Sequence, residues 1–133
     1  MLEFASLFVV AVLGLFFVLL GLAALFFPAR ASRFLLGFAK TAKRHYAELA
    51  VRFIAGGALI FAAPQLPGTK ILALFGWVLL VTTLVMLVIP WRKHQQFAHH
   101  SVTQAIKFIG IIGMCSTIIG VLLLTAVGTT IVR

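Results

Sequence analysis

"FASLFVVAVLGLFFVLLGLAALFF", residues 4–27, runs without a single charged side chain. A hydrocarbon core about 30 Å thick is crossed by roughly 20 helical residues, so this stretch is long enough to span it. Its apolar residues surround the whole helical circumference, leaving no face that water would solvate well. Three further apolar segments, at 46–63, 71–89 and 102–131, are long enough or nearly so, and only 71–89 of them is also free of charge. The composition agrees. Hydrophobic residues make up 63% of the chain and charged residues 10%, against about a half and a quarter in soluble domains. The expected fold class is an all-α integral membrane protein with four transmembrane helices.

Pro28, Pro64 and Pro90 fall where apolar segments end, as suits a residue that lacks a backbone N–H and cannot continue a helix. The first segment differs from a signal peptide. Met1-Leu2-Glu3 offers no positive start, the apolar run exceeds an h-region, and no small-x-small cleavage site precedes Pro28. It is expected to stay in the mature protein as a helix. The lone Cys115 lies within the fourth apolar run, has no second thiol to pair with, and is assigned to packing.

Eleven Lys and Arg face only two acids, Glu3 and Glu48, giving a formal net charge of +9. In a membrane protein such an excess marks loops held on the cytoplasmic side rather than a nucleic-acid surface. Arg30, Arg33, Lys40, Lys43 and Arg44 fall between the first two spans, and Arg92 and Lys93 between the last two. The loop "PQLPGTK" (64–70) carries Lys70 alone. The expected topology therefore places both basic loops in the cytoplasm and both termini on the other face of the cell (inner) membrane.

Residues 45–54 read "HYAELAVRFI" and residues 100–109 read "HSVTQAIKFI". A shift of 55 positions sets His100 on His45, Lys107 on Arg52, Phe108 on Phe53 and Ile109 on Ile54, while Pro90-Trp91-Arg92 answers Pro28-Ala29-Arg30. The pattern predicts tandem helical hairpins, repeat one over 1–63 and repeat two over 71–133, related by an axis along the membrane normal. Between the first two spans, "ASRFLLGFAKTAKR" (31–44) places Phe34, Leu35, Phe38 and Ala42 near one helical face. Arg33, Gly37, Lys40 and Arg44 fall near the other. With Ser32 as N-cap, a basic amphipathic helix is expected over 32–44, lying in the membrane interface.

Arg52 and Lys107 are each expected about two turns, roughly 10 Å, into a span, from where a long side chain reaches lipid phosphates. Glu48 precedes Arg52 by four residues, the favourable order for an ion pair on one helix. The second copy has Thr103 there, so Lys107 is left to a lipid phosphate, to Glu48, or to a partner's carboxylate. The residues expected to contact anionic headgroups are Arg33, Lys40, Lys43, Arg44, His45, Arg52, Arg92, Lys93, His100 and Lys107. His45, His94, His99 and His100 lie at or outside the ends of spans. They lack the Cys or carboxylate company of a zinc site and the facing-helix placement of a haem site, so no metal or cofactor is assigned.

No catalytic set emerges. There is no Ser/His/acid arrangement, no carboxylate pair and no glycine-rich phosphate loop, which argues against an enzyme. Small residues recur on the spans instead: Gly14 and Gly21 in the first, Gly56 and Gly57 in the second, Gly110, Gly113, Ser116 and Gly120 in the fourth. Such positions let helices approach closely. The polar residues of the spans are sparse: Glu48, Arg52, Thr82, Thr83, Thr103, Gln104, Lys107, Ser116, Thr117 and Thr125. That is thin for a pore lining. The expected function is that of an accessory or scaffold subunit. It would pack against another membrane protein or its own copies and contact anionic lipid of the bilayer at its cytoplasmic rim. The alternative is a small transporter or channel with Glu48 and Arg52 near the pathway.

Overall fold

The computed structural model describes residues 1–37 and 40–133. Among these residues the chain forms six α-helices and no strand: α1 Leu2–Phe26, α2 Pro28–Gly37, α3 Ala42–Ala62, α4 Thr69–Val88, α5 Trp91–Ile106 and α6 Ile109–Val132, with a 3₁₀ turn at Ala63–Gln65. Four are long and apolar enough to cross a membrane: α1, α3 with its 3₁₀ turn, α4 and α6.

The helix ends follow local chemistry. Only Phe27 separates α1 from α2, and α2 starts on Pro28, where a missing N–H costs nothing because the first helical turn has no partner for it. The expected start near Ser32 is therefore four residues late. Thr41 then caps α3, its Oγ1 accepting from the Arg44 backbone N–H at 3.3 Å. That cap draws Lys43 and Arg44 into α3, whereas the interfacial helix was expected to run on to residue 44. The Arg44 guanidinium reaches back 3.1 Å to the Gly37 carbonyl and satisfies the end of α2. Phe38, assigned by its spacing to the apolar face of that helix, lies outside the described residues. Gly68, at φ +82°, takes the left-handed turn that opens α4.

The largest departure from expectation is in the last third of the chain. The fourth span starts at Ile109, not 102, because the preceding residues belong to a separate helix, α5. Trp91, His94, Gln95, Ala98, Val102 and Ala105 recur at helical spacing on its less exposed side, and the exposed side is polar apart from Phe97. Lys107 and Phe108 form the break, bonded through i→i−3 contacts to Gln104 and Ala105 at 3.3 and 2.9 Å. Lys107 is thus exposed at a corner ahead of α6, whereas Arg52 is half-buried within α3. His45 opens α3 while His100 sits in the body of α5, so the two histidines of the sequence match are not in equivalent places.

Packing pairs α1 with α6 and α3 with α4, and α1 also touches α3. Each closely packed pair thus takes one helix from each half of the chain. The α1–α6 seam is a glycine ladder running in opposite directions: Gly14 meets Gly120 and Gly21 meets Gly113. A Cβ built on Gly120 would lie 2.6 Å from the Gly14 carbonyl oxygen, so the backbones are as close as glycine permits. The Ser116 hydroxyl donates across this seam to the Phe17 carbonyl at 2.8 Å. Gly56 meets Gly76 in the same way between α3 and α4. At the far end Leu7, Val10, Ala58, Leu59, Ala62, Leu66, Leu123 and Val127 make one apolar cluster joining α1, α3 and α6. The helix α4 is peripheral, with only Gly76 and Thr83 buried.

Candidate functional site

The charged groups of α3 meet polar groups of α4 and α5 at the end of the bundle that carries the two basic connections. His45, Glu48 and Arg52 are spaced by three and four on α3, which puts them on one face. The close Gly56–Gly76 contact brings α4 near enough for the Arg52 Nη2 to donate to Thr82 Oγ1 at 3.0 Å. Thr82 in turn donates to the Val78 carbonyl at 2.7 Å, so its hydroxyl both gives and accepts. Arg52 Nη1 lies 3.5 Å from Glu48 Oε1, as the i,i+4 spacing predicts. The other carboxylate oxygen is 3.8 Å from His94 Nε2, which arrives from α5. Both are ion-pair distances rather than tight hydrogen bonds.

His94 stacks at an angle on His45, with ring centroids 4.7 Å apart. The Tyr46 and His45 rings meet edge to face, with centroids 5.1 Å apart. His45 is 1% exposed and His94 8%, while the Glu48 and Arg52 side chains keep 20% and 27%. Two nitrogens in the cluster, His45 Nδ1 and Arg52 Nε, are buried without a hydrogen-bond partner. The helix α5 has one further tie to the same end, Gln95 Nε2 donating to the Lys40 carbonyl at 3.4 Å.

The other expected contacts divide by exposure. Arg33, Lys40, Lys43, Arg44, Arg92, Lys93, His100 and Lys107 are exposed, all at this one end. Arg33 donates to its own helix at Ala29 O, and Arg92 stacks over Trp91 at 5.8 Å. His45, expected at the headgroups, is instead buried behind His94. Of the packing glycines, Gly14, Gly21, Gly56, Gly113 and Gly120 sit in helix seams, whereas Gly57 and Gly110 face open space. Sequence reasoning missed Thr82, Gly76 and His94 as members of these contacts. The i, i+3, i+7 pattern of Trp91, His94 and Ala98 was the available signal for the third. Thr82 and Gly76 carry none, since nothing local says which helix they oppose.

Among the described residues no three His, Cys, Asp or Glu side chains come together as a metal site. Two shallow grooves mark the surface. One, about 190 Å³, lies at the opposite end between Glu3, Gln65 and Thr130. The other, about 320 Å³ and almost wholly apolar, runs between α3 and α4 along Tyr46, Phe53 and Leu87. Fold and composition define an all-helical chain whose four long apolar helices are compatible with an integral membrane protein. Comparison with known proteins finds no matching family model, no similar curated protein and no similar solved structure.

Proposed function

We propose that the chain is a non-enzymatic accessory or scaffold protein of the cell membrane. In this reading it packs against another membrane protein or its own copies and contacts anionic lipid at its cytoplasmic rim. The observation that carries this reading is how the charges are divided. Inside the spans Arg52 is taken up by Glu48 and Thr82, and the polar line ends at the Gly56–Gly76 contact. At or beyond their ends, Arg30, Arg33, Lys40, Lys43, Arg44, Arg92, Lys93 and Lys107 are displayed around one end. Lipid-facing basic groups of this kind are worth about 1 kcal/mol each near an anionic surface. The positive-inside rule makes that end cytoplasmic and puts both termini on the opposite face. The sparsely packed outer side of α4 is the surface available to a partner helix.

A twofold repeat is part of the same proposal, in a different register from the sequence match. Thr69 follows Leu2 by 67 residues and Ile109 follows Ala42 by the same 67, so the order long, short, long recurs. The α1–α6 and α3–α4 seams exchange under such a repeat. The alternative, a small transporter, draws support from the convergence of His45, Glu48, Arg52, Thr82 and His94. Native mass spectrometry from nanodiscs of mixed zwitterionic and anionic lipid tests the favoured reading. Arg52 is internally paired and Lys107 is exposed, so Lys107→Ala should lose more bound anionic lipid than Arg52→Ala, about fivefold for one contact. Unchanged retention in both variants, or solute flux by the bare chain in liposomes, would refute it.

A further inference from the structure

We propose that His45 and His94 form an acid-sensitive latch that holds α5 against α3 while at most one ring is protonated and releases it when both are. The two rings sit 4.7 Å apart, and both are more than nine-tenths buried. One carboxylate, Glu48, serves this pair, and it already lies 3.5 Å from Arg52. A first proton on His94 meets Glu48 at 3.8 Å and is accommodated. A second proton adds an imidazolium beside an imidazolium and a guanidinium, with no further acid to answer it.

The hydrogen-bond inventory points the same way independently of charge. His45 Nδ1 is buried and unpartnered. Unprotonated, it leaves one lone pair unmet; in the doubly protonated ring it becomes a buried donor with no acceptor, which is costlier still for a charged group. The other groups facing the pair do not supply that acceptor. Tyr46 meets His45 through its ring and gives Nδ1 no hydrogen bond, α4 contributes Thr82, whose hydroxyl is committed, and the charged residues of α2, Arg30 and Arg33, are exposed cations. The neighbouring Lys40, Lys43, Arg44 and Lys107 are exposed cations as well. The α1 helix and the body of α6 bring no charge to this end.

The element that would move is built to move. The helix α5 touches the rest of the molecule mainly through α2 and α6, lies between breaks at Pro90 and Lys107–Phe108, and has a single buried residue, His94, with half of its residues exposed. Such weakly packed segments open at low cost. Release would swing Arg92, Lys93, His99 and His100 relative to the spans and so change the charge presented at that end.

The test uses the full chain with Cys115→Ser, nitroxides on Gln96→Cys in α5 and Thr69→Cys at the opposite end, and nanodiscs of zwitterionic lipid alone. Their use keeps the outcome independent of anionic-lipid binding. Pulsed EPR should give a narrow distance distribution at about pH 8 and a broadened or displaced one at about pH 4.5, either side of the ordinary imidazole value of about 6.5. The displacement should be about one helical turn, ~5 Å, or more. With His45→Phe, which leaves a single ring, the distribution should stay narrow at both pH values. His94→Gln serves where His45→Phe does not fold. An unchanged distribution in the parent chain overturns the latch, as does an acid-induced change that persists in these variants.

Discussion

Substituting Gly21 by Ala places a methyl group where the structure has no room. A Cβ there would lie 2.6 Å from the Gly113 carbonyl oxygen and from the Thr117 backbone nitrogen, and would also collide with Thr117 Oγ1. Two of these neighbours are backbone atoms and cannot swing aside. The helices must separate, which costs about 1–3 kcal/mol for a single methyl and also stretches the 2.8 Å bond from Ser116 to Phe17. Alanine returns up to about 1 kcal/mol through its higher helix propensity. Gly57→Ala is the control, since nothing lies within 4 Å of its Cβ position and it collects the propensity gain alone. The two variants should therefore differ by about 2 kcal/mol, roughly thirtyfold in the folding equilibrium. Reversible unfolding in mixed micelles of dodecyl maltoside and SDS, followed by circular dichroism, reads the difference. If Gly21→Ala proves as stable as Gly57→Ala, the α1–α6 seam is not the close contact described here.

Two other outcomes are expected. In the Cys115→Ser background, a cysteine at Gly68 should react with an impermeant thiol reagent applied outside intact cells, and one at Gln95 should not; reversed labelling overturns the orientation. Glu48→Leu should destabilise the chain by about 1–3 kcal/mol by stranding Arg52, less than for a fully buried pair because both side chains keep some exposure. The double variant Glu48→Leu/Arg52→Leu should recover most of that loss in the same unfolding assay, and a double variant as unstable as the sum of the singles would show that the two side chains do not interact.

How far the site was legible depended on whether its contacts were local. The Glu48–Arg52 pair could be read directly, because residues four apart on a helix are neighbours in every fold that keeps the helix. The glycines of α1 and α6 could be read as packing positions, but not which of them would be used. Gly57 adjoins Gly56 in sequence, yet only Gly56 meets another helix. Lys107, expected about two turns into a span, precedes α6 for a different reason. Hydropathy averages over a window, and Val102 to Ile106 are apolar enough to join the following span unless something turns the chain at Lys107.

Helicity, four segments able to cross a membrane, and the clustering of cations in and beside the connections that follow α1 and α4 are legible in the residues alone. Those properties follow from composition and from contacts within one or two helical turns. That α1 lies along α6, that α3 lies along α4, and that His94 closes over His45 beside Glu48 became visible in the folded chain alone. An apolar helix surface is nearly as content against lipid as against another helix, so hydrophobicity carries no instruction about neighbours. That choice is made by the fit of particular glycines and by a few polar groups that find each other only when distant parts of the chain are brought together.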